Sequence, residues 1–246
     1  MKKPVIIKII SLFLIIASLG IGFYFNRARI KEMVFNWSKS GLPTPVNYAQ
    51  TKKLSFLNGS VETVDVISIN ADLKMKNTAT ATTVQSIPEE YNLNIPFTSQ
   101  APNKVWDDIH KEACEEASSI MAAHFIKGTE IGSAADADKE ILALVSWEKK
   151  NFGFWKDTDA AKTADMIKKY YGLKNVKVKY DIKLDDIKKE IAAGHPVIVP
   201  LAGRLLGYPF YTAPGPLYHL VVARGYTKDK FITNDPGTKN GENYVY

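Results

Sequence analysis

The sequence contains very little cysteine, and this scarcity excludes whole classes of site. Cys114 is the single cysteine among 246 residues, so no disulfide can form within the chain and no site with several thiolate ligands can hold a metal. We therefore expect neither a metal nor another cofactor. A lone cysteine is either a small buried side chain or a reactive thiol. The residues around it in the sequence indicate which of the two applies.

Excess charge is also scarce in the part of the chain that we expect to fold into the main domain. The net charge is +6, but residues 1–90 contain 11 Lys and Arg against 6 Asp and Glu, whereas residues 91–246 contain 21 against 20. The basic excess therefore lies beside the N-terminal apolar segment and not on a nucleic-acid-binding face. We expect no nucleic-acid partner.

An uncharged apolar stretch over residues 9–25 is preceded by further apolar residues. Together they are long enough for the roughly 20 residues that a membrane-spanning helix needs. No small-residue cleavage site is followed by a polar mature start, which favours an uncleaved anchor over a signal peptide. Basic residues lie on both sides of the span, so the charge comparison that sets orientation is nearly a tie. We expect a single-pass protein of the cell membrane, with residues 1–8 as a short tail and the folded domain outside the cytoplasm.

Residues 26–89 are expected to form a juxtamembrane segment and linker, with one or two strands within 54–75 and a Thr/Ala-rich stretch over 77–87. The main domain is expected over residues 90–246. Apolar spacing predicts helices over 114–127, 136–150, 159–171 and 184–193. Strand-like runs follow at 197–201, 219–223 and 230–234, with a weaker candidate at 174–180. Helices followed by strands predict an α+β domain, with a helical part packed on a sheet.

Cys114 lies where the first of these helices begins. A helix N-terminus favours the thiolate and lowers the pKa of a thiol, which points to a reactive cysteine. Glu115 and Glu116 follow directly, and their charges partly offset this effect.

Of the four histidines, His219 is the best candidate for a catalytic base. It follows a turn-rich loop and opens an apolar strand, and a hairpin near residues 227–229 would bring Asp235 back beside it. The alternative is a structural histidine and a turn aspartate, because Asp-Pro-Gly is also a common turn string. His110 is expected to be solvated in a polar loop, His124 to pack in the core and His195 to lie on the surface.

Three further residues complete the candidate site. Gln100, upstream of the cysteine, could donate to an oxyanion together with a backbone N–H at the helix start. Trp106 and Tyr218 are aromatic residues expected to bind substrate in a cleft.

Four short motifs occur in an order that resembles the papain-like bacteriocin-processing peptidases, also called double-glycine peptidase-like proteins. They are the run from Ile95 to Gln100, then Trp106, then Ala113-Cys114 opening a helix, and finally the run from His219 to Tyr226 followed by Asn234-Asp235-Pro236-Gly237. The resemblance covers roughly residues 91–246. It implies a papain-like fold and a cysteine peptidase with Cys114 as nucleophile, His219 as base and acid, Asp235 as orienter and Gln100 as oxyanion donor.

The resemblance leaves alternatives open. The commoner family string after the cysteine is Gly-Pro or similar. Because Glu115-Glu116 stands in its place, a catalytically inactive papain-like binding module is an alternative function. A peptidoglycan amidase or endopeptidase would use a similar Cys-His pair. The family domain usually continues beyond the strand that carries Asp235, so its C-terminal completeness at Tyr246 is open too. The expected partner is a peptide or protein substrate.

Overall fold

The computed structural model describes residues 29, 31–33, 36, 39–57 and 87–246. The chain divides into two compact units, Met1–Gly41 and Leu42–Tyr246, and the fold described below is that of the second. The expected membrane anchor over residues 9–25 lies outside the described residues, as does most of the stretch expected to hold strands between 54 and 75. Within the described part of the chain, no helix is long and apolar enough to cross a membrane.

Five helices are described in the second unit. Residues next to two of these helices account for where the helix begins or ends. They are α1 (Tyr48–Leu57), α2 (Cys114–Lys127), α3 (Ala134–Phe152), α4 (Ala160–Tyr171) and α5 (Leu184–Ala192). Helix α2 ends at Gly128, whose left-handed φ of 66° suits a residue without a Cβ. Helix α3 begins with a capping box between Ser133 and Asp136. The four helices predicted in the main domain are therefore confirmed, with ends shifted by at most two residues.

The strands form one antiparallel sheet. They are β1 (Tyr91–Asn92), β2 (Val197–Leu201), β3 (His219–Tyr226), β4 (Phe231–Asn234) and β5 (Tyr244–Val245). Strand β3 pairs with β1 and β2 and, across a hairpin, with β4, which in turn pairs with β5. All eight residues of β3 are buried, so it is the central strand of the domain.

A bulge in β3 lies between Ala223 and Gly225, where the register with β4 shifts. A Cβ on Gly225 would lie only 2.6 Å from the carbonyl oxygen of Tyr91, so only glycine allows β1 to approach this closely. Between them, Arg224 is buried and donates to Asn92, Asn234 and the carbonyl of Ile95. The bulge thereby ties β1, β3 and β4 together.

Helix α2 packs against β3, α3 and α4. Its fully buried residues, such as Ile120 and Met121, join Val222 of β3 and Leu144 of α3 in the hydrophobic core. Burial of apolar surface of this kind contributes about 25 cal/mol per Å². The helical part therefore packs on an antiparallel sheet, and the predicted α+β class is confirmed.

Residues 174–180 form no strand, so that prediction is wrong: the alternation there is weak, and the segment pairs with none of the five strands of the sheet. Residues ahead of the expected domain start also pack on it, because Val46 pairs with Leu93 and the Tyr48 ring contacts that of Phe125.

Candidate active site

Cys114 is the first residue of α2 and is 5% exposed. Its Sγ donates a hydrogen bond to Oε2 of Glu115 at 3.0 Å. Burial, followed by the charge of Glu115 and this hydrogen bond, raises the pKa of the thiol well above its ordinary value, while the backbone amide of Leu220 acts in the opposite direction. The expectation that the helix N-terminus lowers this pKa is therefore wrong for this state, because burial and the adjacent carboxylate outweigh it.

Behind the thiol lies a cluster of three buried carboxyl groups, Glu115, Glu116 and Glu148, each at most 1% exposed. The carboxyl groups of Glu116 and Glu148 are close enough for one to donate a hydrogen bond to the other, and Thr158 is also near enough to donate to Glu148. Burial is the main cause that raises the pKa of both. It raises the pKa of Glu115 to about 7. The cluster therefore holds protons near neutral pH.

His219 and Asp235 form a buried pair at the start of β3 and the end of β4. Nε2 of His219 lies 2.8 Å from Oδ1 of Asp235, and the two residues are 2% and 0% exposed. The other ring nitrogen, Nδ1, makes no hydrogen bond within the described part of the chain. The predicted hairpin thus brings the base and its orienter together, and it leaves one nitrogen of the imidazole available for chemistry.

Asp235 accepts three more hydrogen bonds. The backbone N–H of Gly237 donates to Oδ1 at 2.8 Å, and the hydroxyls of Tyr211 and Tyr246 donate to Oδ2 at 2.6 and 2.8 Å. Burial alone would raise the pKa of Asp235, but the hydrogen bond and charge of His219, and then the two hydroxyls, lower it. The carboxylate is therefore held ionised in a buried place, where an ionised group needs such partners.

Gln100 lines the same cleft as the cysteine. Its Nε2 donates to the backbone carbonyl of His110 at 2.9 Å, which fixes the side chain and leaves a second amide hydrogen. His110 itself is 5% exposed and lies between Asp107 and Asp138, 2.8 Å from each. The expectation that His110 is solvated is therefore wrong. The sequence does not reveal this contact, because Asp138 lies on α3, far along the chain, and only the packing of α3 brings it to the imidazole. The loop that carries Gln100 is therefore tied to the helical part.

The two remaining histidines lie away from the thiol. His124 on α2 bonds to Glu140 and Thr129 at partial exposure, and His195 bonds to Glu190 at the surface. Neither lines the cleft. His219 is therefore the histidine that shares the cleft with the cysteine.

The cleft has a volume of about 960 Å³, a size typical of ligand sites. Gln100, Trp106, Cys114, Tyr218 and His219 all line it, so the structure brings the sequence candidates to one place, with Asp235 buried behind His219. Trp106 is 41% exposed. Tyr218 is fixed by a hydrogen bond from its hydroxyl to the carbonyl of Thr158 at 2.8 Å. Cys114 meets the start of β3 here, since the amide of Leu220 faces its sulfur.

Sequence reasoning did not predict that three residues, Tyr211, Gly237 and Tyr246, donate hydrogen bonds to Asp235. Tyr211 and Tyr246 hold Asp235, but their spacing along the chain carries no signal for that contact. For the third residue, Gly237, the sequence does contain a signal, because Gly237 belongs to the Asp-Pro-Gly turn. A Cβ at Gly237 would lie 2.8 Å from Cε1 of Tyr211 and 3.0 Å from Oδ1 of Asp235, so glycine is needed for this packing.

Comparisons with known proteins fit this architecture. No curated protein and no solved structure gave a match to the chain. Residues 92–246, well over half of the chain, match the Peptidase_C39 like family, and this range contains the helical part, the sheet and the cleft. The chain therefore belongs to the Peptidase_C39 like family, the papain-like, bacteriocin-processing-like cysteine peptidases that its motifs resemble.

Proposed function

We propose that the protein is a membrane-anchored cysteine peptidase that hydrolyses peptide bonds through Cys114, His219 and Asp235. The observation that carries this proposal is the buried His219–Asp235 pair, which opens into the same cleft as the single cysteine of the chain. Family membership supports the reaction class. No cofactor takes part in the proposed chemistry.

In the proposed reaction, the sulfur of Cys114 attacks the carbonyl carbon of a peptide bond as the thiolate. Nδ1 of His219 takes the proton of the Cys114 thiol as the thiolate forms and then gives this proton to the departing amine, while an acyl-enzyme remains on the sulfur. A water molecule that has lost a proton to Nδ1 then attacks the thioester and releases the acid. Throughout, Asp235 keeps the imidazole oriented through Nε2 and stabilises its protonated form.

Gln100 is the proposed oxyanion donor. One hydrogen of Nε2 is held by the His110 carbonyl, and the second hydrogen of this amide is the one that we assign to the oxyanion. Together with a backbone N–H at the start of α2, it would stabilise the negative oxygen of the tetrahedral intermediate. Trp106 and Tyr218 are proposed to contact the substrate as walls of the cleft.

The location of the enzyme is also a proposal. The uncharged residues 9–25 support a single-pass anchor in the cell membrane, with the peptidase domain outside the cytoplasm. The substrate would then be a peptide or protein that reaches the outer face of that membrane.

A second candidate is a papain-like binding module without catalysis. The hydrogen bond from Cys114 to Glu115 and the raised pKa of the thiol favour it, because a protonated thiol is a poor nucleophile. In that case the cleft would bind a peptide without cleaving it.

Cleavage of a proteome-derived peptide library, followed by mass spectrometry, separates the two candidates. The full-length protein is expected to generate new peptide termini, while Cys114→Ala and His219→Ala are expected to generate none above background. His195→Ala is the matched control, because His195 is also paired with a carboxylate but lies outside the cleft. Retention of library peptides without cleavage by the wild type would favour the binding module.

A further inference from the structure

The loop between Gln100 and Cys114 contains a buried histidine that the reaction described above does not use. His110 is 5% exposed, and each of its ring nitrogens lies 2.8 Å from a carboxylate oxygen, Nδ1 from Asp107 and Nε2 from Asp138. Its backbone carbonyl accepts the hydrogen bond that Nε2 of Gln100 donates at 2.9 Å. His110 is therefore in direct contact with the side chain that we propose as the oxyanion donor.

The two carboxylates that bond to His110 come from different parts of the domain. Asp107 belongs to the same loop, and its Oδ1 also accepts the backbone N–H groups of Ile109 and His110, at 3.0 and 2.9 Å. Asp138 lies on α3. The bonds to Asp107 close the loop into a turn, and the bond to Asp138 fastens this turn to the helical part. The position of the His110 carbonyl is therefore fixed from both sides.

The connection through the imidazole is a strong one. The ring donates to both carboxylates when it is protonated and to one of them when it is neutral. In either form it donates to an ionised carboxylate, and such charge-assisted hydrogen bonds are stronger than those between neutral groups. Because His110 is buried, water does not readily take the place of these partners.

The side chain of Gln100 depends on this connection. Its backbone N–H donates to the carbonyl of Pro236 at 2.9 Å, one residue after Asp235. The residue is 4% exposed, and its Oε1 has no hydrogen-bond partner among the described residues. In the described part of the chain, the amide group therefore has a single hydrogen-bond partner, the His110 carbonyl. The direction of the amide depends on where that carbonyl lies.

We propose that His110 is a positioning residue for the oxyanion site. Held between Asp107 and Asp138, it fixes its backbone carbonyl against Gln100, and this contact directs the second amide hydrogen towards the oxyanion. The inference rests on the proposed peptidase function, because it concerns how the oxyanion donor of that reaction is held. Misplacement of a catalytic group by about 1 Å is enough to lower a rate about 100-fold.

The first experiment observes Gln100 itself and needs no peptide turnover. The chain contains three glutamines, at positions 50, 85 and 100, so 15N labelling of glutamine side chains gives three NH2 groups in an NMR spectrum. The group that disappears in Gln100→Ala is that of Gln100. In the full-length wild type in detergent micelles, one Nε2 hydrogen of Gln100 is expected to exchange with water at least about tenfold more slowly than those of the exposed Gln50, because a buried, hydrogen-bonded hydrogen exchanges only after local opening. This protection is expected to be lost in His110→Ala and in Asp138→Ala.

Glu140→Ala is the matched control for Asp138→Ala. Glu140 also lies on α3 and also bonds to a histidine, His124, but that histidine does not line the cleft. This variant is expected to keep the Gln100 hydrogen protected. An unprotected hydrogen in the wild type would overturn the proposal, as would protection that persists in His110→Ala and Asp138→Ala. If one of these two variants does not fold by circular dichroism, the other decides.

The second experiment measures whether the contact contributes to the reaction. Steady-state kinetics on a peptide from the library test are expected to show a kcat about 10- to 100-fold lower in Asp138→Ala, with little change in KM. In the Gln100→Ala background, Asp138→Ala is expected to cause no further loss, because both changes act on the same donor. Losses that multiply in the double variant would refute the positioning role. An absence of cleavage by the wild type would refute the peptidase function, whereas the exchange measurement would still decide whether His110 holds Gln100.

Discussion

Several hydrogen bonds hold the carboxylate of Asp235, and removal of the Tyr246 hydroxyl measures how much one of them contributes to the stability of the protein. In Tyr246→Phe, the hydrogen bond from the Tyr246 hydroxyl to Oδ2 of Asp235 at 2.8 Å is lost. Asp235 is fully buried, so water cannot easily replace the donor. Hydrogen bonds to charged groups contribute about 1.5–3 kcal/mol, and we expect the free energy of unfolding to fall by about this amount.

Tyr208→Phe is the matched comparison, because its hydroxyl bonds to the neutral Oγ1 of Thr238 at the same distance, 2.8 Å, within the same group of aromatic rings. Its expected loss is that of a neutral hydrogen bond, about 0.5–1.5 kcal/mol. Urea denaturation of both variants and the wild type at pH 7 gives the two losses. Equal losses would refute the claim that Asp235 is ionised in the folded protein.

The pH dependence of the stability of Tyr246→Phe gives a second check that Asp235 is ionised in the folded protein. The partners of Asp235 lower its pKa in the folded protein, so its stabilising effect is complete above the ordinary carboxyl pKa of about 4 and is lost as the pH falls through the lowered value. The deficit of Tyr246→Phe relative to wild type is therefore expected to be constant from pH 7 to about 5 and to shrink below pH 4. A deficit that grows on acidification would contradict the assignment.

Two further substitutions test other parts of the site. Gly237→Ala places a Cβ against Tyr211 and Asp235. Overpacking of this kind costs about 1–3 kcal/mol, so urea denaturation is expected to show a free energy of unfolding that is lower by this amount. An unchanged free energy of unfolding would refute the packing argument. Gln100→Ala removes the proposed oxyanion donor and is expected to lower kcat about 100-fold with little change in KM; steady-state kinetics on a peptide from the library test checks this, and an unchanged kcat would exclude the role.

The sequence predicted those features of the site that depend on local pattern. The helix that begins at Cys114 and ends at Gly128 follows from apolar spacing and a C-terminal glycine. The pairing of His219 with Asp235 follows from two strands and one short turn between them. Both predictions concern contacts that a single element or hairpin determines.

Contacts between distant elements were not predictable in the same way. His110 reads as a solvated loop residue until α3 brings Asp138 to within 2.8 Å of it. The sequence predicts only that Glu115 and Glu116 partly offset the effect of the helix start on the thiol, whereas the packed structure buries both and places Glu148 of α3 against Glu116. The effect of such residues on the thiol depends on burial, which only the packed structure provides.

The central claim is that Cys114 is a nucleophile whose reaction depends on His219. Inactivation of the full-length protein by a set of peptidyl epoxides at neutral pH tests it most directly, with intact mass to locate the adduct. The account predicts saturable modification of Cys114 in the wild type and in His195→Ala, and at least about 100-fold slower, non-saturable modification in His219→Ala, since a general acid or base contributes about that factor or more. Equal, slow and non-saturable modification of Cys114 in all three proteins would contradict it.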